Sequence, residues 1–594
     1  MLCLYALAVS RPFLKETVAV LLLGFALAVL WTWPLLPQLG SALPYDARFT
    51  EPSGSDMHIW VWDFWWTSEA VAGHGDFFFS EKIFLPNGHS LALHTHVFLW
   101  GLLTLPLQWL GGPVFAVGAA FLLLFASSFG AMWALLRTLG ITRFACGFGA
   151  FAWAFSPYFL QKSLEHMDFG ATPWPPLFLL FLLKWMHAER RAWKPALATG
   201  LVFGLTLLTS PLGSFSTLVL GLLTFLFAPR IPMGVLSLSG PRRSRVFEPV
   251  ALLGALTIAT IVGWPWIREV LNELYRVSDF LKMYPQFGDS IHRQTLAYAQ
   301  LVDFFRLPGL NPIVASLSQE GALPGVPPDA PLGWNELSWL YISVALLPLA
   351  IFALWKNPRV WAWGGLAFGL FLVVWDPAFG GGERVISGFF RALPGMGTLR
   401  IPARFFPYFF LPFVALAAWG LQRVQQHSKP LATFLVVFLG VENWVGSYPV
   451  MQIETPVAIS LLREVEDVHG VLTLPVQYGA GQAMTWQATH KKPVLFSYIA
   501  RVNPRALYLW KETAPDLYSL AVPTFDESGL IRVPDAMALG LDLQHVGIDH
   551  ILVDATDSEF WGPCLEVLSE LLDGLANWER VAVEGDLLWW RYRS

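Results

Sequence analysis

Long apolar runs separated by short polar stretches dominate this chain. A helix needs about 17–25 consecutive apolar residues to cross the hydrocarbon core of a bilayer, and eleven runs meet that length. They lie near residues 17–36, 114–136, 144–161, 171–187, 195–211, 213–229, 249–266, 337–355, 360–376, 403–422 and 430–447. The pattern predicts an all-α polytopic membrane protein with about eleven transmembrane helices.

Two runs need separate treatment. The run at 17–36 is longer than a signal-peptide core of roughly 7–15 residues, so we expect it to remain in the protein as an anchor. The run at 96–110 is shorter and contains Pro106. That segment is predicted to be re-entrant or to lie on the membrane surface, not to span.

The distribution of charge predicts the orientation of the spans. With a cytoplasmic N-terminus, the segments on the inner side hold sixteen Lys and Arg residues and only three acids. The first outer loop, 37–113, holds two basic residues and seven acids. Because short cytoplasmic loops are enriched in Lys and Arg, we expect an inner (plasma) membrane protein with a cytoplasmic N-terminus and an extracytoplasmic C-terminus.

Three polar regions interrupt or follow the spans on the predicted outer side. They are the loops 37–113 and 267–336 and the tail 448–594. Short alternating runs in the tail, beginning at Val471 and His550, are separated by helical patterns such as Cys564 to Leu575, which is typical of a small α/β domain. The predicted domains are therefore a transmembrane domain over 1–447 and an extracytoplasmic domain over 448–594.

The composition of the chain argues against one class of binding partner and favours another. Apolar residues make up 55% of the chain and charged residues 14%, against roughly 25% charged residues in globular proteins. The net charge is −5 without any basic stripe, which argues against a nucleic-acid partner and leaves membrane lipids. The three cysteines are scattered and predict neither a disulfide framework nor a zinc site.

Three polar clusters fall on the predicted outer side and carry the candidate chemistry. The first holds Asp56, His58, Asp63, His89, His94 and His96; the second is Lys162 to Asp168, with Glu165 and His166; the third holds Gly380 to Arg384, Arg391, Arg400 and Arg404. Carboxylates can act as a general base or hold a divalent cation. Arginines can bind a phosphate with two parallel hydrogen bonds. Clustered at one outward cavity, these groups would suit a lipid-phosphate substrate.

Each cluster also has a simpler interpretation. Asp56 and Asp63 could solvate an interfacial amphipathic helix, and the second cluster could be an ordinary polar loop. The late arginines could anchor a helix end at the headgroups. His94 and His96 are two residues apart and would not share a helix face, so a metal pair is only weakly indicated.

The same residues carry a family resemblance. An acid, Asp56, follows the first span by about twenty residues, and a later segment opens on histidine at Leu93-His-Thr-His96. One span ends in Arg137, the next closes on Ser156-Pro-Tyr, and a second acidic motif follows at Glu165-His-Met-Asp168. In these features residues 15–190 resemble the GT-C superfamily of polytopic glycosyltransferases, which includes the protein mannosyltransferases and the aminoarabinose transferase of lipid A.

The resemblance implies a glycosyltransferase that moves a sugar from a polyprenyl-phosphate donor to an extracytoplasmic lipid, glycan or protein. It implies Asp56 as catalytic base or metal partner, with Glu165 and Asp168 assisting. His58, His94, His96 and His166 would contact substrate, and Arg400 or Arg404 would bind the lipid phosphate. The second acid of the family's first motif is replaced by Met57, so a divalent cation, with Asp56 and Asp168 as its ligands, is one option and not a requirement.

Two other functions remain open at the level of sequence. A lipid or polysaccharide transporter is one, although the spans lack the acids and lysines at mid-membrane depth that ion-coupled transporters commonly use. A non-catalytic GT-C-like scaffold that binds a glycan through its outer domain is the other.

Overall fold

A computed structural model gives the fold of the chain. It describes residues 11–594 apart from 46–53, 93, 165, 170–171, 189–192, 228–248, 284–339, 357–359, 376–377, 380–382, 385–401, 477–479, 498–510, 522–533, 556–563, 584 and 594. These residues form two compact units. We call residues 1–38, 118–264 and 288–450 the helical unit, and residues 39–117, 265–287 and 451–594 the mixed unit.

Every predicted apolar run overlaps a helix. The helices are Arg11–Trp31, Leu105–Thr138, Arg143–Ala154 followed by Pro157–Lys162, Trp174–Met186, Trp193–Leu207, Pro211–Phe227, Pro249–Met283, Leu346–Lys356, Trp361–Trp375, Phe406–His427 and Lys429–Glu442. Two stretches, Leu105–Thr138 and Val250–Glu273, combine the length and apolar character needed to cross a bilayer. Four shorter apolar helices are also present among the described residues. The count of eleven spans therefore stays a prediction.

The helix Phe406–His427 forms the centre of the helical unit. Its residues from Phe406 to Leu421 are all buried, and it packs against Leu346–Lys356, Trp361–Trp375 and Arg143–Ala154. Glycine permits the closest of these approaches. A Cβ atom on Gly420 would lie 2.0 Å from the carbonyl oxygen of Leu349, so only a hydrogen at this position lets the two backbones meet.

Two helices expose many large apolar side chains. On the helix Pro249–Met283 these residues are Val250, Leu253, Leu256, Ile261 and Trp264. On the helix Lys429–Glu442 they are Leu431, Phe434, Val437, Phe438 and Val441. Continuous apolar surface of this kind is unfavourable in water and suits the hydrocarbon of a bilayer. The chain is a membrane protein.

The C-terminal part of the mixed unit is an α/β structure. Its four-stranded sheet has the order Val471–Leu474, His550–Asp554, Leu587–Tyr592 and Trp578–Val581; the first pair is parallel and the other two are antiparallel. Helices Val457–Glu464, Ala480–His490, Pro515–Ala521, Ala536–Val546 and Cys564–Asp573 complete it. The predicted small α/β region is confirmed, including the strands at Val471 and His550 and the helix at Cys564.

Residues 39–117, which contain most of the first polar loop, belong to the same compact unit as the tail. They include the helix Met57–Val71, which we call the first-loop helix, and the short helix Phe98–Leu103. Across the chain, short strands occur at Ala42–Pro44, Phe79–Ser80, His89–Ser90, Ala378–Phe379, Glu383–Arg384 and Val450–Gln452. The predicted boundary between 447 and 448 stays a proposal.

Two sequence-based predictions need correction. The break in the 96–110 segment falls at Thr104, and a kink follows at Gly112, whose φ is +79°. Pro106 lies in the first turn of Leu105–Thr138, where a missing N–H costs nothing. The outer loop expected from residue 267 begins later, because the helix from Pro249 runs on to Met283. There Trp266 Nε1 donates to the carbonyl oxygen of Ala92 at 2.8 Å.

We expect Gly420→Ala to lower the stability of the helical unit. The added methyl group would collide with the Leu349 carbonyl oxygen, and overpacking of this kind costs about 1–3 kcal/mol. Gly440→Ala is the matched control, because a methyl group added there would meet no neighbouring atom within 4 Å. Thermal unfolding of the purified chain in detergent should show a lower midpoint for the first variant only. Equal midpoints would contradict the close packing.

Candidate active site

Asp56 lies at the start of the first-loop helix. It occupies the N-cap position and is half-buried, but its side chain makes no capping hydrogen bond. The sequence placed this acid in a loop, whereas the structure fixes it to the end of a buried helix. Its neighbour Met57 is buried, so the acid missing from the family's motif is replaced by a residue of the core.

The first-loop helix is buried on all sides. Thirteen of its fifteen residues are buried, including Trp60, Trp62, Trp65 and Trp66. The Trp62 and Trp66 rings stack with centroids 5.8 Å apart. An amphipathic helix solvated by its acids was one interpretation of the sequence, and this burial excludes it for Asp63.

Hydrogen bonds join the first-loop helix to the helix Ala480–His490, which we call the tail helix. His58 Nδ1 lies 2.7 Å from Thr485 Oγ1. Trp62 Nε1 donates to Gln487 Oε1 at 2.7 Å. All four side chains are buried. His58, predicted to contact substrate, therefore contacts the tail helix; a substrate role for it remains a proposal.

Glu69, further along the same helix, carries an ion-pair network. Its carboxylate lies 3.2 Å from Lys491 Nζ, 3.6 Å from Lys82 Nζ and 3.1 Å from His74 Nδ1. Burial raises the pKa of Glu69, but the attraction of Lys491 and Lys82 outweighs it and the pKa lies below the ordinary value. The charged form is thus the stable one in the folded chain.

Asp63 binds two histidines in the interior. Its Oδ1 lies 2.9 Å from His96 Nδ1 and 3.3 Å from His94 Nε2, and all three side chains are almost completely inaccessible to solvent. Burial raises the pKa of Asp63, while His96 and His94 together lower it by more, so the net direction is downward. The sequence argument about these histidines applied to a helix, but they lie on non-helical backbone, where residues i and i+2 can share a side.

The second cluster lies in the helical unit. Pro157–Lys162 is followed by a 3₁₀ turn, Met167–Phe169, which carries Asp168. Asp168 and Lys162 are buried, and His166 is half-buried. Glu165 lies outside the described residues. The near-complete burial of the Lys162 side chain was not anticipated, because the sequence pattern of the segment gives no apolar periodicity.

The segment of Arg404, the last residue of the third cluster, lies near the segment of the second cluster. Arg404 is half-buried in the 3₁₀ turn Pro402–Phe405, directly before the central helix. The ring of Phe406 lies 4.9 Å from that of Tyr158, one turn before Lys162. The segments that carry Lys162 and Arg404 are thus neighbours within the helical unit. Arg391, Arg400 and Gly380–Gly382 lie outside the described residues.

The predicted site residues thus fall into two sets. Asp56, His58, His94 and His96 belong to the mixed unit, and His166, Asp168 and Arg404 belong to the helical unit. The single outward cavity expected from the sequence stays a prediction. Within the part of the chain described, no group of three or more His, Cys, Asp or Glu is arranged to hold a metal ion.

Sequence reasoning missed the partners in the tail. Thr485, Gln487 and Lys491 contact the first-loop helix from more than 400 positions away. None of these three residues belongs to a local sequence motif. The available signal was indirect, since a helix as rich in tryptophan as Met57–Val71 requires a partner surface to cover it.

We expect Asp63→Asn to destabilise the mixed unit by about 3–5 kcal/mol, because it removes the buried carboxylate that both histidines contact. Since the pKa of Asp63 is lowered in the folded state, its contribution is complete above the ordinary aspartate pKa of about 3.9 and is lost as pH falls through the folded pKa. Unfolding midpoints measured from pH 7 downward should converge in acid.

Asp76→Asn is the control for this variant. Asp76 pairs with Arg268 at the surface, and exposed pairs contribute less than about 1 kcal/mol. Equal losses in the two variants at pH 7 would contradict a special role for the buried cluster.

Comparisons with known proteins show which solved structures have a similar fold. No protein-family model matches the chain, and no curated protein matches it in sequence. Among solved structures, the arabinofuranosyltransferase AftD from Mycobacteria is similar with a TM-score of 0.53 and 16% identity over 99% of this chain. The chain spans 40% of the length of AftD.

Two further structures are similar at lower TM-scores. ArnT from Cupriavidus metallidurans has 0.41 with 13% identity, over 98% of this chain and 97% of its own. The oligosaccharyltransferase AglB from Archaeoglobus fulgidus has 0.44 with 12% identity, over 93% and 70%. At TM-scores below 0.5 these two likenesses carry no argument about this chain. With its helical unit and small C-terminal sheet, the chain has a GT-C-like fold.

Proposed function

We propose that the chain is a membrane glycosyltransferase that moves a sugar from a polyprenyl-phosphate donor to an extracytoplasmic acceptor. The observation that carries the proposal is the GT-C-like fold, with an acid at the start of the helix that follows the first apolar run. The apolar outer surface of the helical unit supports a membrane-embedded enzyme with access to a lipid-linked donor.

Asp56 is the proposed general base. Asp63 is fully buried against two histidines, Glu69 is paired with two lysines, and Asp76 is paired with Arg268. Asp63 and Glu69 stabilise the fold through these buried pairs. Asp56 is half-buried at the N-terminal end of a buried helix, which fits a carboxylate that must both keep a fixed position and reach a substrate hydroxyl.

Arg404 is the proposed ligand of the donor phosphate. It lies in a turn directly before the central helix and is half-buried, so part of the residue remains accessible. A guanidinium group presents two parallel donors to a phosphate, which an ammonium group cannot do. Arg400 belongs to the same proposal by sequence alone, as do Glu165, Asp168 and His166 as assisting groups.

The donor class follows from the proposed orientation. The sixteen basic residues and three acids of the inner segments favour an outer location for the first polar segment and the tail. Nucleotide sugars are cytoplasmic, so an outward-facing transferase requires a donor that has already crossed the membrane on a lipid carrier.

We expect Asp56→Asn to lower sugar transfer by roughly 10²–10⁴-fold, because the amide keeps the shape of the side chain but cannot accept a proton. Membranes of a deletion strain complemented with each variant would be supplied with radiolabelled polyprenyl-phosphate sugars. Glu81→Gln is the control, since it makes the same chemical change at an exposed acid of the same segment.

The two possible failures of that experiment have different meanings. Transfer at the wild-type rate by Asp56→Asn would remove this acid from the mechanism and leave the fold untouched. No transfer by the wild-type chain with any of the supplied lipid-linked sugars would overturn the enzyme proposal in favour of a glycan-binding scaffold or a transporter.

For Arg404→Lys we expect the KM for the lipid-linked donor to rise by about tenfold, with a smaller change in kcat, because the paired hydrogen bonds to phosphate are lost while the charge is kept. Steady-state transfer at varied donor concentration in detergent measures both constants. Arg423→Lys, at the opposite end of the central helix, is the control. An unchanged KM would remove Arg404 from donor binding.

A further inference from the structure

One face of the first-loop helix contacts the tail helix and Lys491, the residue that follows the tail helix. His58, Trp62 and Glu69 contact Thr485, Gln487 and Lys491 respectively. Positions 58, 62 and 69 recur at helical spacing and therefore share one face. The order of the contacts is the same along both segments, and we call the three contacts together the seam of the mixed unit.

At the centre of this seam, the side-chain oxygen and nitrogen of Gln487 both have hydrogen-bond partners. Gln487 is completely buried. Its Oε1 accepts the Trp62 Nε1 hydrogen, and its Nε2 donates to the carbonyl oxygens of Lys82 and Lys492 at 2.7 and 3.1 Å. Displacing a buried amide that has these partners costs free energy, because a shift leaves a buried polar group without a hydrogen bond. The amide therefore fixes the axial position of the first-loop helix.

The first contact of the seam lies next to Asp56. His58 is two residues after the proposed base, and its ring nitrogen is 2.7 Å from Thr485 Oγ1 in the interior. The first amide groups of a helix have no partners within the helix, and helix ends fray readily. A side-chain hydrogen bond at this turn restrains the end of the helix at which Asp56 lies.

We infer that the tail helix is the positioning element for Asp56, with Thr485 as a positioning residue that acts through His58. This inference rests on the proposed function, in which Asp56 is the general base. A displacement of about 1 Å in a reacting group can reduce a rate by as much as 10²-fold without changing how substrate binds. The tail is then part of the reaction machinery and not a separate appendage.

Thr485→Val tests this inference, because valine keeps the shape of threonine and removes only the hydroxyl group. Thr485→Ser restores the hydroxyl. Thr489→Val is the matched control: Thr489 lies one turn later on the same helix and its hydroxyl group donates to the Thr485 carbonyl oxygen, not to the first-loop helix. All variants are made in the full chain and purified in detergent.

The first readout is transfer from radiolabelled polyprenyl-phosphate sugar. We expect kcat to fall about tenfold in Thr485→Val with KM unchanged, near-normal kcat in Thr485→Ser, and no change in Thr489→Val. A merely structural defect would lower the yield of active protein and be shared by both valine variants. Normal kcat in Thr485→Val would overturn the inference.

The second readout needs no substrate. Hydrogen exchange of residues 54–62 should become faster in Thr485→Val than in Thr489→Val, while the sheet strands stay protected. Unchanged exchange at residues 54–62, or a loss spread equally over the whole tail, would overturn the inference. Wild-type transfer by Asp56→Asn would instead overturn the proposed function, and hydrogen exchange would still decide whether Thr485 restrains the helix.

Discussion

The structure of the mixed unit depends on supplying partners for the charged and polar groups of a helix that is otherwise buried among tryptophans. Asp63, Glu69 and His58 lie in the interior, where an unpaired charge costs several kcal/mol. Two histidines, two lysines and a threonine provide those partners. The position of Asp56 at the end of this helix is a consequence of that pairing.

The helical unit follows a different principle. Its interior is held by close backbone approach, as where Gly420 meets Leu349 and Gly200 meets Ala255. Its peripheral helices expose apolar side chains that water would not solvate. Inside a bilayer the hydrophobic effect does not drive helices together, so small residues and van der Waals packing must. Both features fit a membrane environment.

The sequence predicted the apolar helices and the small α/β region because period and length are local properties. It did not predict the environment of Asp63, because that depends on His94 and His96 lying on non-helical backbone against a helix. It also did not reveal Thr485 or Gln487, since pairing across more than 400 residues leaves no trace in local pattern. The extension of the helix from Pro249 to Met283 was missed because its last turns are polar.

The separation of 427 residues between His58 and Thr485 has a consequence for biogenesis. At synthesis rates of about 5–20 residues per second, roughly 20–85 s pass between the appearance of the two helices at the ribosome. During that interval the tryptophan-rich helix has no tail helix to cover it. A chain truncated before residue 480 would leave the tryptophan side chains of this helix without the surface that covers them in the folded protein.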